Sequence, residues 1–340
     1  IWSGIYNVSA SRDHLDATTW LLDIVRRQSV RTHSMAIRVP PLEDPAAVRL
    51  GAVHYDLACA GCHGAPGRRP GPLAPAMLPT PPPLDRAIAD WQPEQLFWII
   101  LNGQKYTAMP AWLESRRADE VWAVVAFLRH LPTLDAAGYR RLARLPPDAD
   151  TSAPDPSRSP NEASCRRCHD PPAEIADGSL VPPLERQTPQ YLSRTLSEYA
   201  AGTRPSGIMQ FVAATLDRQA IERLSHEFAA SAEAAADPTG AAVAARGRRL
   251  VHEGIPERGI PACISCHSPA ADARFPRLAG LPVRYLEQQL RLWREGARGG
   301  TPFSEIMRPI AVRLEPGEAA EAAAYLATVR PEATARAVAP

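Results

Sequence analysis

The sequence predicts an all-α chain: an N-terminal helical arm followed by three tandem units, each a few small helices joined by loops. Three observations predict it. The pentapeptide C-x-x-C-H occurs three times, as Cys59-Ala-Gly-Cys62-His63, Cys165-Arg-Arg-Cys168-His169 and Cys263-Ile-Ser-Cys266-His267. Its period of roughly 100 residues marks an internal repeat. Apolar residues recur at helical spacing in segments bracketed by proline and glycine. The chain also holds 36 prolines in 340 residues, about twice ordinary usage, which suits short helices separated by loops.

Residues 1–43 form the arm. A helix is expected from Thr18 to Ile37, with Trp20, Leu21, Ile24 and Val25 on one side and Arg26, Arg27, Arg31 and Arg38 supplying positive charge. Such a helix either packs on the first unit or serves as a docking arm near a membrane or partner subunit. The first unit spans 44–145. Asp44-Pro45 provides an N-cap and a first helical residue, and the helix runs through Gly51 and Tyr55 into the first motif. Pro93 opens a second helix (Leu96, Phe97, Ile99, Ile100) that Gly103 closes. A third runs from Ala118 to Leu131 and stops at Pro132. Gly51 lets the first and last of these helices cross closely, with Tyr55 packed at the crossing.

Residues 146–162 are a Pro/Ser/Asp linker. The second unit, 163–233, is short: its motif comes at once, leaving no room for a full preceding helix, and a closing helix is expected from Leu216 to Ala230. The third unit, 239–331, begins with a helix containing Gly247 and Leu250 and ends with one from Pro316 to Val329 carrying Tyr325. The second and third units align. Pro182-x-Leu184 matches Pro276-x-Leu278, Tyr191-Leu192 matches Tyr285-Leu286, Leu196 matches Leu290, and Gly202-x-Arg204 matches Gly296-x-Arg298. The first unit carries a related Pro82-x-Leu84.

All six cysteines belong to the three motifs. C-x-x-C-H is the attachment signal for covalent haem. Two cysteines three positions apart share one side of a helical turn, so both sulfurs can form thioethers to one porphyrin, and the adjacent histidine gives the iron a proximal nitrogen. Structural zinc usually takes four ligands, often from two C-x-x-C pairs, which leaves one pair over and three histidines unexplained. Disulfide frameworks belong to small extracellular domains. Three covalently bound haem c groups are therefore expected, held by Cys59, Cys62 and His63, by Cys165, Cys168 and His169, and by Cys263, Cys266 and His267.

A carrier haem usually has a second axial ligand, and methionine raises its potential relative to histidine. Of five methionines, Met109, Met209 and Met307 stand 46, 40 and 40 residues after His63, His169 and His267. One candidate per motif makes these the expected sixth ligands to iron, against the alternative that methionines fill gaps in cores. Met77 stands too close to His63 to reach the opposite ring face easily, and Met35 belongs to the arm. The other six histidines, His14, His33, His54, His130, His226 and His252, do not repeat with the motifs, although His54 and His252 precede them on helices. A proline carbonyl of the Pro-x-Leu segments is placed to accept the ring N–H of each motif histidine, the outer contact that fixes its orientation.

The formal charge of +1 indicates no strong global field toward nucleic acid. No run of 18 apolar residues appears, so no transmembrane helix is expected. Covalent haem attachment implies the bacterial periplasm. The start at Ile1-Trp2-Ser3-Gly4 leads us to expect residues upstream, with an inner-membrane tether among the options.

The first unit has the pattern of a class I cytochrome c. On Cys59-Ala-Gly-Cys62-His63-Gly64-Ala65-Pro66-Gly67 and Lys105-Tyr-Thr-Ala-Met109-Pro110-Ala-Trp112 it resembles the single-haem domains of membrane-bound respiratory chains. The stretch Gly247–Ala327 resembles the second half of cytochrome c4, a diheme periplasmic carrier. That likeness rests on Gly259-Ile260-Pro261-Ala262-Cys263-Ile264-Ser265-Cys266-His267, Phe275-Pro276-Arg277-Leu278-Ala279-Gly280, Tyr285-Leu286, Gly296-x-Arg298 and Met307; residues 163–233 look like a reduced copy. The resemblance implies two haem domains packed about a pseudo-twofold over 163–331, with axial pairs His169/Met209 and His267/Met307. It departs from cytochrome c4 in the extra first domain and arm. The whole resembles triheme subunits serving periplasmic dehydrogenases or terminal oxidases. Redox protein partners follow, either such subunits or a small carrier such as a cytochrome c or a copper protein.

The leading expectation is therefore an electron-transfer protein or subunit, not an enzyme. The alternative is a haem enzyme, a diheme peroxidase or thiosulfate dehydrogenase, with one open or displaceable iron. A gas-responsive sensor would need an open iron as well.

Overall fold

The computed structural model describes residues 2–3, 7–9, 11–145, 162–170, 178–230 and 244–329. Apart from two isolated β-bridges, its regular elements are helical, as the sequence predicts. The chain divides into two compact units, Ile1–Ser157 and Arg158–Pro340. Most of the expected linker, 146–161, lies outside the described residues, as do the ends of the second and third expected units beyond 230 and 329 and before 244.

In the first unit the arm helix α1 runs Asp16–Ser34, two residues earlier at its start and three shorter at its end than the sequence pattern suggests. The chain turns where Ile37 N–H bonds back to the Ser34 carbonyl. Its apolar stripe is not its packed face. Trp20, Leu21 and Val25 are more than half exposed, while Val30 and Ser34 are buried. The helix instead docks through His33, whose ring lies tilted 5.6 Å from that of Trp98, and through Arg26 and Arg27, whose guanidiniums sit 5.1 and 5.7 Å from the Trp91 ring.

Helix α2 (Pro45–Ala58) starts as expected, its cap Asp44 accepting from Ala46 N–H. Helix α3 (Pro93–Asn102) opens on a Gln92/Gln95 capping box and ends at Gly103, whose φ of 65° is left-handed. Helix α4 spans Ala118–His130. At the α2–α4 crossing a Cβ on Gly51 would stand 1.9 Å from the Ala123 carbonyl oxygen, so only glycine permits this approach. Tyr55 packs there against Phe127, ring centroids 5.2 Å apart, and Phe97 of α3 stacks on Trp122 of α4 at 4.3 Å. A further helix, α5 (Ala136–Leu142), is capped by Asp135 and buries Tyr139.

The second unit contains two similar halves. The first holds α6 (Glu162–His169), α7 (Pro189–Ala200), α8 (Gly207–Ala213) and α9 (Arg218–Ala230). Its contiguous buried core is small: Tyr191, Leu192, Leu224 and Phe228. The second half holds α10 (Ala244–Glu253), α11 (Val283–Arg294), α12 (Ser304–Arg313) and α13 (Pro316–Thr328). Gly247 of α10 repeats the role of Gly51, since a Cβ there would lie 2.1 Å from the Glu321 carbonyl oxygen of α13. The larger core of this half gathers Leu250, Val251, Ile260, Leu281, Leu286 and Leu326.

The two halves are joined by hydrogen bonds from side chain to backbone. Gln187 and Arg277 bond reciprocally, Gln187 Nε2 to the Arg277 carbonyl at 2.9 Å and Arg277 N–H to Gln187 Oε1 at 3.0 Å. Thr188 bonds the Ala273 carbonyl, Arg186 the Gly280 carbonyl, and Arg194 the Arg274 carbonyl at 2.9 Å. Of these pairs, Arg186 and Gly280 correspond in the internal repeat. This is the behaviour of positions near a twofold axis.

Candidate functional site

Each motif sits at the end of a helix, where successive turns bring its side chains to one side. In the first unit α2 ends at Cys59 and a one-turn helix, Ala60–His63, completes the motif. In the second unit α6 carries all of the second motif, and the one-turn helix Ile264–His267 carries the third. The second motif therefore lies within a short helix among the described residues.

The three histidines share one geometry. Nδ1 lies 2.8 Å from the Pro82 carbonyl for His63, 2.8 Å from Pro182 for His169 and 2.8 Å from Pro276 for His267. A carbonyl only accepts, so this contact assigns the proton to Nδ1 and leaves the Nε2 lone pair free to bind a metal. Burial lowers all three histidine pKa values, only partly opposed by the proline carbonyl. The imidazoles are thus kept neutral, the ligating form.

The cysteine sulfurs are half-buried and none is joined in a disulfide. Burial pushes the first thiol of each motif up, Cys59 to about 12 and Cys165 and Cys263 to about 11. Among the described residues no three or more His, Cys, Asp or Glu side chains converge as a metal-ion cage. Two sulfurs beside a neutral histidine with an oriented free nitrogen is the donor set that covalent haem requires.

Met109, Met209 and Met307 are each half-buried, whereas Met35 is 81% exposed. Met109 lies in a loop against the first unit's core. Its carbonyl accepts from Gln104 N–H and its own N–H bonds Thr107 Oγ1 at 3.0 Å. Met209 is the third residue of α8, its N–H capped by Ser206 Oγ at 3.1 Å. Met307 lies on α12, which continues through Pro309.

Sequence reasoning missed the network that secures the loop after the first motif. Tyr55 donates its hydroxyl to the Gly64 carbonyl at 2.6 Å. Buried Asp56 sits 2.7 Å from Arg68 Nη2 and accepts from Tyr139 Oη at 2.8 Å. Residues 64–68 are thereby tied to α2 and α5. The only signal was a charged residue on the apolar side of α2.

Of the remaining histidines, His252 Nε2 contacts Tyr325 Oη at 2.9 Å. His54 is buried on α2 beside Trp112 and bonds the Glu120 backbone carbonyl, and burial pushes its pKa down to about 4. In the unfolded chain it would titrate near 6.5. Between those values the unfolded state binds the extra proton, so the contribution of neutral His54 is complete above about pH 6.5 and is lost as pH falls through about 4. Denaturant unfolding should weaken by about 3 kcal/mol at most across that window. His54→Leu should flatten this part of the profile; an unchanged slope would assign it to other groups.

Residues 46–128 match the family model for cytochrome c oxidase, cbb3-type, subunit III. The chain is 35% identical to the thiosulfate dehydrogenase electron acceptor of Thiomonas intermedia over 174 residues, 49% of this chain and 79% of that protein. It is 34% identical to cytochrome c4 of Thiocapsa roseopersicina over 172 residues, 48% of this chain and 85% of that protein. Among solved structures, the thiosulfate dehydrogenase TsdBA from Marichromatium purpuratum shares 35% identity at a TM-score of 0.44, over 52% of this chain and 39% of that one. With its haem-binding motifs and these relatives, the chain belongs to the c-type cytochromes, and about half of it is related to cytochrome c4.

Proposed function

We propose that this protein is a periplasmic triheme cytochrome that passes electrons along three His/Met haems, as a subunit or partner of a respiratory dehydrogenase or terminal oxidase. The observation that carries this reading is the threefold repetition of one arrangement: two cysteines, a histidine whose Nδ1 bonds a proline carbonyl at 2.8 Å, and one half-buried methionine downstream. In this reading the haem domains are 44–145, 163–233 and 239–331, with 1–43 as arm and 146–162 as linker. On the same reading the cysteines would hold each haem by thioethers, His63, His169 and His267 would bind iron through Nε2, and Met109, Met209 and Met307 would be the further ligands to iron. The bound haem supplies the one-electron chemistry. The chain's residues set its potential through ligand identity, burial and hydrogen bonding. Each Nδ1–carbonyl bond raises the basicity of its imidazole and holds the ring's orientation.

The relatives named as acceptors from thiosulfate dehydrogenase support a dehydrogenase as electron donor to the cytochrome c4-like part. The likeness of residues 46–128 to an oxidase subunit supports exit toward an oxidase through the first domain. We infer a one-way wire entering at 163–331 and leaving at 44–145.

Intact-mass measurement and the reduced visible spectrum, with and without carbon monoxide, test the proposal together. Three haems per chain and no carbon monoxide shift are expected. Fewer haems would overturn the triheme reading. A shift in about one-third of the haem would mean one iron lacks its methionine and would favour the haem-enzyme alternative.

A further inference from the structure

One arginine in the first half of the second unit reaches both supports of the third motif. His267 Nδ1 bonds the Pro276 carbonyl at 2.8 Å, and the residue before that proline, Phe275, meets the His267 ring edge to face at 6.2 Å. Phe275 in turn meets Phe303 edge to face at 5.5 Å. Phe303 immediately precedes α12, and its carbonyl accepts the Met307 N–H at 3.3 Å. The two phenylalanines therefore join the segment that orients the histidine to the helix that carries the methionine. Arg194 of α7 holds this pair from the other half. Its Nη2 donates to the Arg274 carbonyl at 2.9 Å, next to Phe275, and its guanidinium lies 3.9 Å from the Phe303 ring centroid. Its Nε is buried and has no hydrogen-bond partner among the described residues, which fits a cation lying against an aromatic face.

The guanidinium is fixed on a further side by Glu198, Nη1 to Oε1 at 2.5 Å, so both its fork and its face are committed. The same stretch is fastened elsewhere by the first half: Thr188 bonds the Ala273 carbonyl, and Gln187 bonds both the N–H and the carbonyl of Arg277. Within 273–277, residues 273, 274 and 277 are thus tied across the contact, and the other two, Phe275 and Pro276, are the ones that touch His267. The internal repeat supplies no mirror copy. Arg194 stands three residues after Tyr191, but Gln288 stands three after Tyr285; Phe275 precedes Pro276, but Val181 precedes Pro182; Phe303 stands four before Met307, but Pro205 stands four before Met209. The arrangement therefore serves the third motif and not the second.

We propose that Arg194 is a positioning residue that pins, from the first half, both axial supports of the iron at the third motif, so that the ligation and potential of that haem depend on the docking of the neighbouring half. This rests on the reading of His267 and Met307 as its axial pair. With the pin in place the His267 ring keeps its orientation and its basicity, and α12 is held with Met307 at one position. Released, the 273–277 segment and α12 shift independently, the methionine bond is made only part of the time, and the potential falls because methionine is the ligand that raises it.

The test uses the full haem-loaded chain, with haem content from intact mass, potentials from a spectroscopic redox titration, and the methionine–iron charge-transfer absorption of the oxidised protein. Met307→His, which exchanges the ligand, marks the step that belongs to the third motif. R194A should lower the reduction equilibrium constant of that step about tenfold, or about 59 mV for one electron, and weaken the charge-transfer absorption, with the other two steps unmoved. R194K keeps the charge but not the planar fork and should resemble R194A. F303L should give the same shift, and R194A combined with F303L no more than either alone, as for residues acting through one contact. R291Q, at an exposed position of α11, should change nothing. Where R194A folds poorly, F303L and R194K carry the comparison. An unmoved third step in R194A and F303L at full haem content would overturn the pin while leaving the triheme reading intact. Recovery by R194K would assign the shift to charge alone, and an equal shift of the second-motif step would assign it to general loosening of the halves; either result overturns the pin. A Met307→His variant in which no step moves would overturn the axial pair itself, and the pin with it.

Discussion

Asp56→Ala is expected to destabilise the first unit by about 3–5 kcal/mol, the range for removing one partner of a buried ion pair. The Asp56 carboxylate faces Arg68 at 2.7 Å and accepts from Tyr139 at 2.8 Å. Its loss leaves a nearly enclosed guanidinium without its counter-charge and a buried phenol without its acceptor. Chemical unfolding of the full chain, followed by tryptophan fluorescence and far-ultraviolet circular dichroism, would read the loss as an earlier first transition. Asp56→Leu combined with Arg68→Met should recover most of it, because removing both charges also removes their desolvation cost. A cost below about 1 kcal/mol for Asp56→Ala would mean the pair is hydrated and weak, as exposed pairs are.

Adding one methyl group at either helix crossing should cost about 3 kcal/mol, the upper part of the range for overpacking. In Gly51→Ala the new Cβ would stand 1.9 Å from the Ala123 oxygen, and in Gly247→Ala 2.1 Å from the Glu321 oxygen. Both obstacles are helix backbone, which cannot rotate aside as a side chain can, so the helices must separate. Gly317→Ala is the control. It lies in α13 with nothing within 4 Å of its Cβ, and should be neutral or stabilising by up to about 1 kcal/mol. Comparable midpoints for all three variants would show that the crossings give way without cost.

The elements read correctly from the sequence are those whose boundaries are local chemistry. Asp44-Pro45 starts α2, Pro93 and Gly103 bracket α3, Pro316 starts α13, and Gly51 and Gly247 mark the crossings. The histidine–proline contacts were legible because a Pro-x-Leu follows every motif, although 19, 13 and 9 residues after its histidine. What escaped depends on distant partners. The stripe Trp20, Leu21, Ile24 and Val25 looks like a packed face, yet α1 docks through His33 and two arginines onto tryptophans, contacts that leave no periodic signature. Helix α5 has too few apolar residues to form a stripe, and its anchor Tyr139 bonds Asp56, 83 residues away.

The small core of the first half of the second unit has a consequence in time. Among the described residues its contiguous core is the four side chains Tyr191, Leu192, Leu224 and Phe228, and domains with little core usually need a covalent or ligand-borne staple. In the triheme reading, attachment at Cys165 and Cys168 is expected to come before this half compacts.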